Sequence, residues 1–451
     1  MAFGVFLKKH SMKEAQKFLL ELFHSEHRAC TDTRLINPGD VFFALKGDSF
    51  DGNLFARQAL EKGASIAVVD QDLAFPDERL LTVENVLETL QKVSQTYRQR
   101  FSIPVIGITG TNGKTTTKEL MSAVLSTQLD TLSTSGNLNN HIGVPLTLLE
   151  LRNKHQVAVI EMGANHIGEI GFLSSLADPD FGLITNVGKA HIEGFGSAEN
   201  IVIAKTELYK HIIRKQGTIF VNGENTKLTE KAQGANLVLY GTKPSNHLQG
   251  EITGRGPRLS FCFKVMKAFG KAQTGMEGKV NSKLVGDYNL ENFLAAITIG
   301  LHFGVSPENA IKALEEYTPS NHRSQLAETG KNTVILDAYN ANPTSMGLAL
   351  KNLASMPETK KAAIIGDMLE LGITSQEEHQ KVLEQLFQLN LELNIVVGPE
   401  FCKASKGISG LLPFENVEKA SEWIKTNELK GYTILVKGSR GIKMEKVMDL
   451  L

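Results

Sequence analysis

Val105-Ile-Gly-Ile-Thr-Gly-Thr-Asn-Gly-Lys-Thr-Thr116 is a short apolar run that enters a glycine-punctuated loop ending in Lys-Thr-Thr. The run predicts a buried strand over residues 105–108, and a helix is expected after Thr116. Glycines at 107, 110 and 113 let backbone N–H groups of residues 109–116 turn toward phosphate oxygens. Lys114 then neutralises the outer phosphates, the helix N-terminus adds its dipole, and the Thr115 hydroxyl is placed for Mg²⁺. The first glycine of the general phosphate-loop pattern is missing, because Ile108 occupies its place. By itself the motif implies a nucleoside triphosphate and leaves kinase, GTPase, helicase and ligase open.

Strand-like and helix-like stretches alternate downstream. Residues 157–160 and 182–185 read as strands, residues 198–210 and 290–303 as helices, the former carrying Lys205 and Tyr209 four residues apart. That order is the signature of a mostly parallel sheet with crossover helices. Residues 217–285 are short, Gly-punctuated and strand-like, which predicts a β-rich insertion. From Tyr317-Thr-Pro319 onward, strand-like runs at 334–337, 362–366, 394–398 and 433–437 alternate with helical stretches at 345–354, 376–389 and 417–426. That pattern predicts a doubly wound Rossmann-type unit whose ligands meet the carboxyl ends of its strands. Upstream, residues 40–45 and 64–69 read as strands around a helix over 53–62, and residues 89–100 as a connecting helix. The expected class is α/β in three domains: a small α/β unit over 1–100, a central parallel-sheet phosphate-loop unit over 101–316, and a Rossmann-like unit over 317–451.

The composition agrees. With 451 residues, 41% hydrophobic and 22% charged, the chain is long enough for several cores. A formal net charge of −1 supplies no field to draw nucleic acid or an anionic membrane. Cys30, Cys262 and Cys402 lack metal or disulfide spacing. No apolar stretch is long enough to span a bilayer, and residues 1–24 carry lysines in place of a signal-peptide core. A cytoplasmic protein is expected.

Several segments resemble the Mur ligase family. Gly107–Thr116 is similar to its ATP loop, Thr134-Ser-Gly-Asn-Leu-Asn-Asn-His-Ile-Gly-Val-Pro145 to its next motif, and Glu161-Met-Gly163 to its metal-binding segment. Ile203-Ala-Lys-Thr-Glu207, Gly286-Asp-Tyr-Asn-Leu-Glu-Asn292, Arg323, Asp337-Ala-Tyr-Asn-Ala-Asn-Pro343, Gly366-Asp-Met-Leu-Glu-Leu-Gly372 and Lys437-Gly-Ser-Arg440 continue the resemblance. Near the start, Asp32-Thr-Arg34, Pro38-Gly-Asp40 and Asp51-Gly-Asn53 look like its uridine-nucleotide domain, with Asn53 where the family often has His. Asn186-Val-Gly-Lys-Ala-His-Ile-Glu-Gly-Phe-Gly-Ser197 is similar to the member that adds D-alanyl-D-alanine; members adding one amino acid tend to carry Asp-His for Ala190-His191.

The resemblance implies ATP-dependent joining of UDP-N-acetylmuramoyl-tripeptide to D-alanyl-D-alanine through an acyl-phosphate, by a monomer with two Mg²⁺ and a carbamylated lysine. It implies catalytic roles for Lys114, His191, Lys205 and Arg323. ATP contacts fall to Gly110, Thr111, Asn112, Gly113, Lys114, Thr115, Thr116, Asn289, Asn292, Arg323 and Asp337. Metal ligands are Thr115, Glu161, His191 and Lys205 as its carbamate; UDP-sugar contacts are Thr33, Arg34, Asp51 and Asn139. Physical readings run beside these. A plain lysine beside two cations has the wrong sign of charge, and a carbamate reverses it, whereas an ordinary Lys205 is a solvated helix residue. Asn289 suits an adenine edge or a helix cap. Arg323 suits a planar fork on developing phosphoryl charge or an exposed site after a domain junction. Asn340 and Asn342 beside Pro343 suit a turn. The rival activities are another ligase of this superfamily, adding one amino acid or extending folate with glutamate, and a phosphate-loop NTPase switch.

Overall fold

The computed structural model describes residues 10–188, 192–254, 256–319 and 323–451. Three main sheets follow one another along the chain, beside a two-stranded antiparallel ribbon, Lys46–Gly47 with Phe50–Asp51. The first has four parallel strands in the order Ala29–Cys30, Val41–Phe43, Ile66–Val69, Leu80–Thr82. The expected helix over 53–62 splits into a 3-10 turn, Gly52–Phe55, and a helix, Ala56–Glu61. Asp51 starts the turn by accepting from Asn53 N. Gly63, at φ +101°, supplies the left-handed residue that ends the helix.

The central sheet has nine strands. Thr131–Ser133, Val157–Glu161, Val105–Thr109, Phe181–Ile184, Thr218–Asn222, Asn236–Gly241 and Leu248–Gly254 are parallel neighbours; Arg258–Val265 and Glu277–Val285 close the edge antiparallel. The β-rich stretch expected over 217–285 is therefore an extension of this sheet. Its alternating burial, as in Arg258–Val265, covers the almost wholly buried helix Leu290–Phe303. The helix expected over 198–210 breaks in two, Ala198–Lys205 and Glu207–Arg214. The Thr206 hydroxyl donates to the carbonyls of Val202 and Ile203, competing with the helix ladder, so Lys205 and Tyr209 lie on different helices.

The third sheet has the order Gln325–Glu328, Thr333–Asp337, Thr433–Lys437, Lys361–Gly366, Leu393–Val397, Leu412–Phe414, parallel except for the first strand. The strand pattern of the sequence finds all but the two edge strands, which are short and half exposed.

The first two units share one apolar core: Leu19, Phe23, Val41 and Val68 pack in the same cluster as Val105, Leu148, Ile160 and Leu173. Arg98, buried at the junction, donates to the carbonyls of Ala177, Phe101, Ile103 and Asp178. Tyr97 Oη donates to those of Phe23 and Leu151. The third unit has two clusters, one of which takes in Val285 from the edge of the central sheet. Cys30, Cys262 and Cys402 are all free thiols. Among the described residues no helix is long and apolar enough to cross a membrane.

Candidate active site

A cavity of about 490 Å³ lies where the carboxyl ends of the central and third sheets face each other. Sheet register builds its floor. Strand 105–109 pairs with 157–161 so that Ile108 lies opposite Glu161, and with 181–184 so that Thr109 lies opposite Ile184. The phosphate loop therefore emerges with Glu161 on one side and Thr185-Asn186 on the other.

The loop is braced from that second side. Asn112 N donates to Asn186 Oδ1 at 3.0 Å, and the Asn112 carbonyl accepts from Thr185 Oγ1 at 2.6 Å and Asn186 Nδ2 at 3.1 Å. Thr111 Oγ1 lies within hydrogen-bond reach of both the N–H and the carbonyl of Gly188. Gly110 has φ +145°, and a Cβ there would stand 2.0 Å from Thr185 Oγ1. Sequence reasoning missed Thr185 and Asn186 as loop supports, because only the sheet register brings them there.

Lys114 turns back on its own loop, donating to the carbonyls of Gly110 at 2.8 Å and Thr111 at 3.1 Å. Enclosure lowers its ammonium pKa, with nearby Arg323 acting in the same direction and Glu161 opposing. Glu161 is fully buried. Its Oε1 accepts from Thr115 Oγ1 at 3.1 Å and Asn139 Nδ2 at 2.8 Å, while Oε2 is buried with no hydrogen-bond partner. A lone buried carboxylate oxygen beside a threonine hydroxyl and a phosphate loop fits a hard cation that completes its shell with phosphate and water. Among the described residues there is no cluster of three His, Cys, Asp or Glu side chains that forms a metal cage. His191, expected as a ligand, lies outside the described residues.

Lys205 is 2% exposed. Burial pushes its ammonium down to about 7, aided by repulsion from Lys114 and opposed by Glu169 and Glu207. Its nitrogen donates to the Ala164 carbonyl at 3.3 Å and lies 5.4 Å from the Phe195 ring centre. The solvated-lysine alternative does not describe this residue.

The far wall comes from the third unit. Arg323 stacks on Tyr339, its guanidinium carbon 3.7 Å from the ring centre, with Nε buried and unpartnered. Asp337 Oδ2 accepts from Lys437 Nζ at 2.5 Å, and Oδ1 accepts from Ser324 N at 3.2 Å. Lys437, the first residue of the Lys437–Arg440 motif, is 1% exposed and also donates to the Asn340 carbonyl.

Asn289 and Asn292 both line the cavity, yet their amides are largely spent on each other. Asn292 Nδ2 donates to Asn289 Oδ1, Asn289 Nδ2 to the Val285 carbonyl, and Thr117 Oγ1 to Asn292 Oδ1. Asn292 also presses on the loop, since a Cβ on Gly113 would lie 2.7 Å from its Oδ1. Thr116 also lines the cavity.

Of the expected UDP-sugar set, Asn139 is at the phosphate end of this cavity, bonded to Glu161; Thr33, Arg34 and Asp51 do not line it. Thr33 Oγ1 donates to Gln58, Arg34 pairs with Asp32 on the surface, and Asp51 serves as the cap described above.

Comparison with known proteins reports on the whole chain. Three family models match in sequence order: "Mur ligase family, catalytic domain" over residues 27–100, "Mur ligase middle domain" over 108–300, and "Mur ligase, glutamate ligase domain" over 322–440. A UDP-N-acetylmuramoyl-tripeptide--D-alanyl-D-alanine ligase from Bacillus subtilis is 35% identical over 437 residues, covering 94% of this chain and 93% of that one. A crystal structure of MurF from Acinetobacter baumannii superposes with a TM-score of 0.83 at 32% identity, over 98% of this chain and 99% of that one. The MurF ligase from Thermotoga maritima in complex with ADP gives 0.82 at 27% identity, over 95% and 97%.

Proposed function

The chain belongs to the Mur ligase family, and on that premise we propose that it joins D-alanyl-D-alanine to UDP-N-acetylmuramoyl-tripeptide at the expense of ATP. The observation that carries this reading is the composition of the cavity. A phosphate loop with Glu161 forms one wall, and Arg323, Asp337 and Lys437 of a separate α/β unit form the other. A switch NTPase needs no such opposing wall; a ligase that must enclose an acyl-phosphate does. Likeness in name to relatives at this level of identity over nearly the whole chain favours the dipeptide acceptor over a single amino acid or folate.

In the first step the tripeptide carboxylate oxygen attacks the γ-phosphorus. The new O–P bond forms as the bond from γ-phosphorus to the β-bridging oxygen breaks, and ADP leaves. Lys114 gives up its loop carbonyls for phosphate oxygens. The Arg323 fork, held flat by Tyr339, meets the charge spread over the transferred oxygens. In the second step the dipeptide amine attacks the acyl carbon. The C–N bond forms, the C–O bond to phosphate breaks, and the amine proton passes to the medium. Positioning supplies most of the rate, since no covalent nucleophile is required of the chain.

Thr115 and Glu161 are the described residues fitted to hold Mg²⁺, which when bound shields phosphate charge. The second cation is assigned to Lys205 as its carbamate together with His191. The near-neutral amine supports this, since carbamylation consumes a neutral amine and CO₂ and releases a proton. The division into 1–100, 101–316 and 317–451 is retained for the UDP-sugar, ATP and closing units, acting as a monomer in the cytoplasm. ADP release tests the reading: it is expected with UDP-muramoyl-tripeptide plus D-alanyl-D-alanine. Release with a single amino acid and none with the dipeptide would overturn it.

A further inference from the structure

Asn112, at the tip of the phosphate loop, and Asn342, 230 positions later, face each other with their carboxamides across the seam between the central and third units. Asn342 Nδ2 donates to Asn112 Oδ1 at 2.7 Å, and Asn112 Nδ2 reaches Asn342 Oδ1 at 3.4 Å. We propose that this pair is a latch that registers the third unit on the phosphate loop, so that Asn342 is a positioning residue for ATP. The inference rests on reading that loop as the ATP site.

Neither amide hangs on a slack backbone. Asn112 is fixed through its N–H and carbonyl by Thr185 and Asn186. Asn342 is the N-cap of helix Pro343–Ser355, its Oδ1 accepting from Ser345 N at 2.9 Å and its own N–H donating to Ser345 Oγ at 3.1 Å. With both ends anchored, the gap between the amides reports the gap between the units. The neighbouring contact agrees, since a Cβ on Gly188 would lie 3.2 Å from Thr344 Oγ1. Asp337, Tyr339 and Arg323 sit in the same unit just before this seam, so its register sets where the guanidinium stands relative to Lys114.

The residue type matters. A carboxylate on either side would repel the triphosphate, and an ammonium would compete with Lys114 for it. Two carboxamides are self-complementary without charge, each offering a donor and an acceptor. Bonds between neutral groups are also weak enough to release when product must leave.

The test uses the full chain. Asn342→Ser keeps an N-cap oxygen but is too short to reach Asn112. Asn112→Ala removes the other side. Small-angle scattering of nucleotide-free protein should show a larger radius of gyration in Asn342→Ser and in Asn112→Ala, with unchanged melting temperature in Asn342→Ser. The kcat/KM for ATP should fall about 3- to 10-fold in Asn342→Ser and in Asn112→Ala, and no further in the double variant. An unchanged radius of gyration, or single losses that multiply in the double variant, overturns the latch. Absence of dipeptide-dependent ADP release in the unaltered protein would instead sink the functional reading and leave the scattering result standing.

Discussion

Thr115 Oγ1 and Glu161 Oε1 stand 3.1 Å apart, joining the first turn of the helix after the phosphate loop to the end of the adjacent strand. The other oxygen of Glu161 is buried without a partner. A side chain so placed is poised for a ligand and is unfavourable to the empty fold. Glu161→Gln keeps the shape and an acceptor for Thr115 but removes the charge. Ligation should fall by about two to three orders of magnitude, with a raised Mg²⁺ requirement, while the melting temperature holds or rises. Near-normal turnover in a Mg²⁺ titration would show that the carboxylate does not serve the metal.

Lys114→Ala should slow ligation by about two orders of magnitude and leave the fold intact. The lysine's present partners are two loop carbonyls, those of Gly110 and Thr111. Its loss leaves the transferred phosphoryl charge unmatched, a loss of several kcal/mol of barrier stabilisation, on the order of 3. Retained turnover at saturating ATP, with an unchanged unfolding curve, would place the phosphates elsewhere.

Lys205 makes stability depend on pH in a defined window. Its folded value is about 7 and its ordinary value 10.5, so between those limits the unfolded chain holds a proton that the folded chain has released. Stability should therefore rise with pH across that window, and the full cost of the buried charge is felt below pH 7. In metal-free, bicarbonate-free buffer, Lys205→Met should melt higher than the unaltered protein at pH 6, and the difference should shrink toward pH 9. A difference independent of pH would mean that the amine is not desolvated as described. With Mg²⁺ and bicarbonate present, the same variant should lose most activity without unfolding.

The two junctions between units should behave differently. Arg98 and Tyr97 lock the first into a shared core, and Arg98→Ala should destabilise the protein by about 3 kcal/mol, because buried carbonyls lose a charged donor. The second junction, at Tyr317, is tied to the loop helix by a side-chain hydrogen bond from Tyr317 Oη to Glu119 at 2.5 Å. Closure on ATP analogue and UDP-sugar peptide should accordingly move the third unit alone. Distances from labels in the first and central units that changed on binding would contradict this.

What could be read from residue order alone was whatever is local. The loop at 107–116, its flanking strand and helix, and the strand ends carrying Glu161 and Asp337 are each written in a short consecutive stretch, and the Rossmann alternation after 317 is a succession of such stretches. Phosphate binding uses contiguous backbone, and apolar periodicity reports burial one element at a time. Tertiary structure decided the rest. It placed Asn139 on Glu161, turned Asn289 and Asn292 toward each other, and set Asn112 against Asn342. It also merged residues 218–285 into the central sheet and buried Lys205. Hydrogen-bond partners depend on sheet register and domain contact across as many as 230 positions, and a lysine's charge state depends on how much water its neighbours exclude. Neither quantity has a local signature in the chain, because both arise only when distant segments meet.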